Sequence, residues 1–406
     1  VIAEVASRRI DELLAARTEA NREFFVAEAE RLARCCHRMA ERFARGGRLV
    51  ALGHSPAARS DARHVAVEFV HPVIVGKRAL PAIGLAPEGG PLDLQVRLVA
   101  EPDDIAIAFG LEDEASESLA AALALARERG CMTMAFADGE AEWVFRAPAA
   151  DPFIRQELVE TLYHVLWELV HVFFDHRGLL EGRTDAPVHD AGASGFLYPF
   201  LSEGERDLDA VIDDVRGSIL LKAEEVGELR QQTLADNREV LLGAAAELRS
   251  RLDAGGKLLA FGNGGSATDA IDAVADFRAA PQGWPPRRAI DLTEDASILT
   301  AIANDIGVEE IFQRQVIAYG RDADAVLALS TSGDSLDVIE ALAEARRRGL
   351  ATIALVGYDG GRIAAEALAD HVVITRSQHI PRIQEAQASA YHLLRELVEL
   401  ADPAPG

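Results

Sequence analysis

Cysteine is scarce in this chain. Cys35, Cys36 and Cys131 are the only three among 406 residues, too few for a disulfide framework and at spacings that suit no thiolate zinc site, which fits a reducing cytoplasm. Positive charge is also short: 41 Lys and Arg face 66 Asp and Glu, a formal net charge of −25. Nonspecific binding to nucleic acid or to an anionic membrane needs a basic surface, so neither is expected. A small anion can still bind, because local donors outweigh global charge at close range. No apolar run approaches the ~20 residues of a membrane-spanning helix. The opening residues, with Glu4, Arg8 and Arg9 among apolar positions, form an amphipathic pattern and lack the apolar core of a secretory signal.

What is present is ordinary globular composition, 49% hydrophobic and 26% charged, in a chain long enough for two or three domains. Two turns stand out. The apolar run Leu258–Gly262 ends in glycine, and Asn263, Gly264, Gly265 and Ser266 lead into a helical pattern from Ala267. Glycines let a backbone approach a ligand closely, and the free N–H groups of the following helix suit an anion such as phosphate. Downstream, Ala325–Leu329 is a second apolar strand that runs into Ser330, Thr331, Ser332, Gly333, Asp334 and Ser335 before another helix. Hydroxyls and backbone donors at that helix start could surround a phosphate, although for a single such turn a serine-rich helix cap without a ligand is the more ordinary reading.

The chain also repeats itself. Arg45 to Gly53 matches Ala254 to Gly262 almost residue for residue, and the stretches 82–85 and 126–130 echo 289–292 and 345–349. The offset of about 209 residues between Gly53 and Gly262 is too long for a solenoid and suits a duplicated domain. Each copy opens with amphipathic helical sequence, residues 1–45 and 207–251. The expected division is therefore a first domain over 1–176, a linker over 177–206 rich in Gly and Pro, and a second domain over 207–406. Within the linker, Phe196, Leu197, Tyr198 and Phe200 are too apolar for a solvated tether and are expected to pack on a domain. The copies differ where chemistry would occur. In the first, the glycine turn becomes Gly53, His54, Ser55, Pro56 and Ala57, and the second turn carries Glu112, Asp113 and Glu114, which would repel phosphate. It has instead His64 and Glu68 four apart on the helix after the turn, on one face.

Taken in order, Gly262–Ser266, Ala301–Asp305, Ser330–Ser335, Asp359–Gly361 and Arg382–Glu385 resemble the motifs of sugar isomerase (SIS) domains of the phosphoheptose isomerase type, from near Val211 to Leu400. The resemblance implies an α/β fold of two tandem SIS domains, each a doubly wound, flavodoxin-like five-stranded parallel sheet flanked by helices and without a nucleotide. It also implies pairing of the copies as a pseudo-dimer, further dimerisation of chains, and a phosphosugar ligand held by Asn263, Gly264, Ser266, Asp305, Ser330, Thr331, Ser332, Ser335 and Gln384. In the metal-dependent members a His-x3-Glu pair and a Gln-x7-His pair hold zinc. His64, Glu68, Gln156 and His164 occupy all four positions, which implies zinc or another divalent metal in the first copy. The second copy has Asp272 and Asp276 at the His and Glu positions, with Gln384 and His392. A continuous helix would hold Gln and His ~12 Å apart along its axis, so either that helix begins after the Gln or ligands are shared between copies. Glu68 with His164, and Asp276 with His392, are the acid–base candidates. The family's substrate arginine has no counterpart in either copy, though Arg278 or Lys77 could replace it.

The expected function is aldose–ketose isomerisation of a phosphorylated sugar such as sedoheptulose 7-phosphate. Two alternatives stay open: another phosphosugar isomerase or epimerase acting through an enediol, and a non-catalytic phosphosugar sensor or assembly factor, as in the similar DnaA-interacting SIS proteins.

Overall fold

The computed structural model describes residues 2–72, 77–112, 117–175, 207–280 and 283–400, and the side chains of 2–7 and 175 are not among them. The linker 177–206, its four apolar residues, and Asp113 and Glu114 of the first copy's second turn lie outside the described residues. In chain order the elements of the first copy are α1 (Ile2–Ala44), β1 (Leu49–Gly53), α2 (Pro56–Val70), β2 (Ala82–Leu85), α3 (Leu92–Val99), β3 (Ile105–Phe109), α4 (Glu117–Glu128), β4 (Met132–Ala135), β5 (Trp143–Val144) and α5 (Pro152–Asp175). The second copy runs α6 (Leu208–Asp236), α7 (Arg238–Asp253), β6 (Leu258–Gly262), α8 (Gly265–Arg278), β7 (Ala289–Asp291), α9 (Ala296–Asp305), α10 (Gln313–Tyr319), β8 (Ala325–Ser330), α11 (Leu336–Arg347), β9 (Ala351–Val356), α12 (Gly361–Ala365), β10 (His371–Ile374) and α13 (Ile380–Leu400).

Each copy builds a five-stranded parallel sheet, in the order β2-β1-β3-β4-β5 and β7-β6-β8-β9-β10. The order is the same in both, and so is the register. Leu49 lies opposite Ala82 and Ile105, while Leu258 lies opposite Ala289 and Ala325. The duplication extends to single hydrogen bonds. Asp104 Oδ1 accepts from Arg48 N at 2.8 Å, and Asp324 Oδ1 accepts from Lys257 N at 2.9 Å. The glycine pair before each first strand has a steric cause. A Cβ on Gly47 would sit 2.1 Å from the Asp103 carbonyl oxygen and one on Gly256 2.0 Å from that of Ala323, so no larger residue fits.

The second sheet is covered on both faces, as a parallel sheet requires. Leu258 and Ala260 point to a core shared with α7, α8 and α13, whereas Leu259 and Phe261 point to one shared with α11. In the first sheet, Val50, Leu52, Ala106 and Ala108 pack with residues of α3 and α4.

The described chain forms two compact units, and they are not the contiguous spans expected. One comprises residues 1–19, 151–157 and 226–406; the other comprises 20–150 and 158–225. Three helices are divided between them. α1 has 43 residues, α5 has 24 and α6 has 29, so at 1.5 Å per residue they run about 35 to 65 Å, well beyond the length of a five-residue strand. We call the unit that contains the second sheet the β6 unit and the other the β1 unit.

Candidate functional site

In the β6 unit, β6 ends at Gly262 and α8 starts at Gly265, with Gly264 in the left-handed region at φ 57°. Asn263 turns its amide onto both oxygens of Asp337, at 3.1 and 2.9 Å, and so ties this turn to the first turn of α11. Ser266 is buried. The serine loop follows β8: Ser330 Oγ accepts from Gly333 N at 3.1 Å and lies 3.5 Å from Ser335 Oγ, and Ser332 Oγ accepts from Asp334 N at 3.2 Å. Gly333 is at φ 69°, and a Cβ there would meet the Gly360 carbonyl oxygen at 2.3 Å. Thr331, Ser332 and Ser335 are partly exposed at the start of α11, and Ser335 takes its N-cap position without a side-chain cap bond.

α8, α13 and the start of α5 bring four ionisable side chains of this unit into one buried cluster. His392 Nδ1 is 2.9 Å from Glu157 Oε1, and its Nε2 is 3.3 Å from Asp272 Oδ2 and 3.4 Å from Asp276 Oδ2. Asp272 also accepts from Gln156 Nε2 at 2.7 Å and Tyr391 OH at 2.7 Å. Glu157 is clamped by Arg17, at 2.8 to 3.1 Å, and by Ser389 Oγ at 2.6 Å. The imidazole stacks on Phe153 at 4.5 Å.

The electrostatics follow from that packing. Burial opposes a charge on His392, but hydrogen bonds to Asp272 and Glu157 and the charges of Asp276 and Glu157 outweigh it and raise its pKa to about 10. Burial also works against ionisation of Glu157, yet Arg17 and His392 hold it well below the usual carboxylate range. For Asp276 burial dominates, Asp272 adds to it, and the pKa is raised well above the usual value. Among the described residues Asp276 Oδ2 accepts no hydrogen bond. The cluster thus sets an imidazole whose charge is favoured and the Glu157 carboxylate beside Asp276, a carboxyl that favours its proton.

In the β1 unit, Ser55 caps α2 by accepting from Ala58 N at 3.2 Å. His64 and Glu68 on α2 and Glu160 and His164 on α5 are all buried. His64 Nε2 faces His164 Nε2 at 3.4 Å and Glu68 Oε1 at 3.9 Å, while His64 Nδ1 meets Tyr163 OH at 2.9 Å. Burial, with His164 beside it, lowers the His64 pKa well below its usual value. Donor atoms of His64, Glu160 and His164 lie within 4.8 Å of one another, and those of Asp272, Asp276 and His392 do the same in the β6 unit. Two imidazole nitrogens and a carboxylate oxygen form a donor set that suits zinc.

A SIS domain profile matches residues 223–357. The phosphoheptose isomerase of Nitratidesulfovibrio vulgaris is 38% identical over 188 residues, 46% of this chain and 89% of that protein. The chain belongs to the SIS domain family. The phosphoheptose isomerase of Chlorobium phaeobacteroides is 41% identical over 202 residues, 49% of this chain and 87% of its own length, so such relatives match about half of the chain. The C-terminal domain of glucosamine-fructose-6-phosphate aminotransferase from Francisella tularensis aligns with 95% of this chain, and with 93% of its own, at a TM-score of 0.60 and 10% identity, a likeness of fold. With two parallel sheets of one order, the SIS architecture occurs here twice.

Set against the SIS motifs, Asn263 is spent on Asp337, and Asp305 is exposed at the end of α9 and accepts from Asn304 at 2.8 Å. Gln384 is buried with its Oε1 unpartnered among the described residues, and Arg278, a possible replacement for the missing arginine, donates to the Ala289 carbonyl at 2.9 Å. Gln156 does not join His64, Glu68 and His164. α5 is one continuous helix, so Gln156 and His164 stand ~12 Å apart along it. Gln156 belongs to the β6 unit on Asp272, and Glu160, one turn before His164, completes the β1-unit cluster instead. Glu157 and Glu160 were not singled out in the sequence. For Glu157 a signal existed: Gln156 and Glu157 occupy the repeat positions of Gln384 and Glu385 in the Arg382–Glu385 motif.

Proposed function

We propose that this SIS protein is an aldose–ketose isomerase of phosphorylated sugars, of the sedoheptulose 7-phosphate type, with its working site in the β6 unit. The observation that carries it is the buried Asp272–Asp276–His392 cluster on α8 and α13, with α8 opening directly from the glycine turn that lies beside the serine loop. The names of the phosphoheptose isomerase relatives support the substrate class. Ser266, Ser330, Thr331, Ser332 and Ser335 hold the phosphate with hydroxyl and backbone donors. Asp276, held protonated, gives its proton to the substrate carbonyl oxygen while Asp272 takes the proton from the adjacent carbon. The product of that exchange is an enediol. Return of the proton to the other carbon, and loss of one from the other oxygen, completes the isomerisation and restores the carboxyl pair. The charged His392 does not act as the base; it offsets the enediol's developing negative charge.

The residues of the β1 unit fit zinc or another divalent ion, which His64, His164 and Glu160 would hold with Glu68 beside them. Such an ion would supply Lewis-acid chemistry at that cluster.

The phosphate assignment is tested by calorimetry with sedoheptulose 7-phosphate. Ser330→Ala with Ser332→Ala removes two hydroxyl donors to a charged group, each worth about 1.5–3 kcal/mol, so affinity should fall about a hundredfold or more. Unchanged affinity in the double variant rules the serine loop out as the cradle.

A further inference from the structure

Beside the serine loop the β6 unit has a cavity of about 550 Å³ that the sequence did not reveal. It is lined by Ser332 and Asp334 after β8, Tyr358 and Asp359 after β9, and Arg376, Ser377 and Gln378 after β10. Arg376 is unusual in its surroundings. Every other arginine from 346 to 395 lies on a carboxylate: Arg346 on Asp370, Arg347 and Arg348 on Glu344, Arg362 on Glu366, Arg382 on Glu385 and Arg395 on Glu399. Arg376 makes no hydrogen bond or ion pair among the described residues, although Asp334 and Asp359 line the same cavity. Asp334 is already engaged, accepting from Arg362 N at 2.9 Å.

Another part of the lining is held in place by the backbone. Tyr358 has φ 51°, a left-handed conformation that costs a bulky residue on the order of 1 kcal/mol or more and persists where its surroundings fix it. Tyr358 lines the cavity. Asp359, like Arg376, has no partner among the described residues. The cavity therefore joins a serine of the phosphate loop, a planar five-donor cation, an unengaged acceptor and an aromatic surface. A guanidinium binds phosphate bidentately, whereas carboxylate and amide groups suit sugar hydroxyls.

We infer that Arg376 is a substrate-binding residue: its guanidinium closes on the phosphate held by the Ser330–Ser335 loop, while Asp359 and Gln378 receive hydroxyls of the sugar chain. This rests on the phosphate role of the serine loop proposed above. It also supplies the cationic partner that Arg278, tied to a backbone carbonyl, does not offer. Two carboxylates in the lining disfavour a second phosphate, so the ligand class is a sugar monophosphate.

Calorimetry on the full chain tests this, with inorganic phosphate and sedoheptulose 7-phosphate as probes. Arg376→Met should weaken both by about tenfold to a hundredfold, the loss expected for one charge-assisted bidentate contact. Arg376→Lys should recover only part of it, because an ammonium keeps the charge and loses the fork. Asp359→Asn should weaken the sugar phosphate and leave inorganic phosphate unchanged. Arg376 is exposed, so melting temperatures should not move, which separates lost binding from lost fold. Wild-type affinity in Arg376→Met, alongside a loss in the Ser330/Ser332 double variant, overturns the Arg376 assignment and leaves the serine cradle standing. Wild-type protein that binds neither probe overturns both.

Discussion

Glu157→Ala should weaken the β6 unit more than any other single change in its site. The carboxylate is fully enclosed, with a side-chain exposure of 1%, and the Arg17 guanidinium opposite it is 2% exposed. Removing it strands that guanidinium, the Nδ1–H of His392 at 2.9 Å and the hydroxyl of Ser389 at 2.6 Å, all without access to water. Breaking a buried ion pair from one side costs about 3–5 kcal/mol, because the remaining charge is desolvated and uncompensated. Glu157→Gln keeps the volume and one acceptor, so its cost should be smaller, about 2–3 kcal/mol. Arg17→Met combined with Glu157→Leu removes both charges and should cost less than the two single changes added together by at least ~1.5 kcal/mol. Native-state amide exchange along α13 reads this local stability without requiring the two units to unfold together. The His392 ring gives a second signal. At pH 8 both ring nitrogens should carry protons in the wild type, as seen in ¹⁵N imidazole shifts, and the ring's pKa should fall in Glu157→Ala, where Asp272 still raises it but Glu157 does not. A loss below ~1 kcal/mol, strictly additive single changes, or a His392 that is neutral at pH 8 in the wild type would refute the reasoning.

Three further outcomes follow from the same geometry. The folded-state pKa of His392, about 10, lies above the unfolded value near 6.5, so its contribution to stability is full below pH 6.5 and is lost as pH rises towards 10. Urea titrations of chelator-treated protein should show that decline, and His392→Gln should flatten it; Glu157, shifted the other way, should make the wild type lose stability as pH falls below about 4.5. In metal-replete protein His64→Ala should abolish stoichiometric zinc by elemental analysis while Asp272→Ala leaves it unchanged, and loss of zinc only in the Asp272 variant would move the metal to the other cluster. The Ser330/Ser332 double variant also strips the acceptors of Gly333 N and Asp334 N, so its melting temperature should fall by a few degrees beside the weakened phosphosugar binding, and loss of the cooperative transition would mark those hydroxyls as chiefly structural.

Much of the fold was legible because duplication wrote it twice. Gly46 and Gly47 against Gly255 and Gly256, each followed by a wholly buried strand, fixed the start of both sheets. The polar partners of those strands, Asp104 and Asp324, escaped notice because a lone Asp before an apolar run carries no periodic signal. Domain boundaries were less legible for a different reason. Amphipathic periodicity says that α1, α5 and α6 have a buried face; it does not say that one helix continues from one unit into another. The same gap misplaced Gln156. The family resemblance paired Gln156 with His164, but α5 is continuous and holds them ~12 Å apart along its axis, with Gln156 on Asp272 and His164 in the other cluster. Glu157 remained hidden because its role depends on Arg17, Ser389 and His392, up to 235 residues away in sequence. The cavity at Arg376 is a property of three loops that follow three different strands, so no local pattern could announce it.

The central claim is that the β6 unit moves a proton between adjacent carbons of a phosphosugar. Its most direct test is incubation of the full chain with sedoheptulose 7-phosphate in deuterated water, followed by NMR. The account predicts conversion to the aldose with solvent deuterium at the carbon that is reprotonated, and loss of both signals in Asp276→Asn with binding retained. Tight binding of the sugar phosphate with no conversion and no deuterium incorporation would contradict it, and would make the protein a phosphosugar sensor.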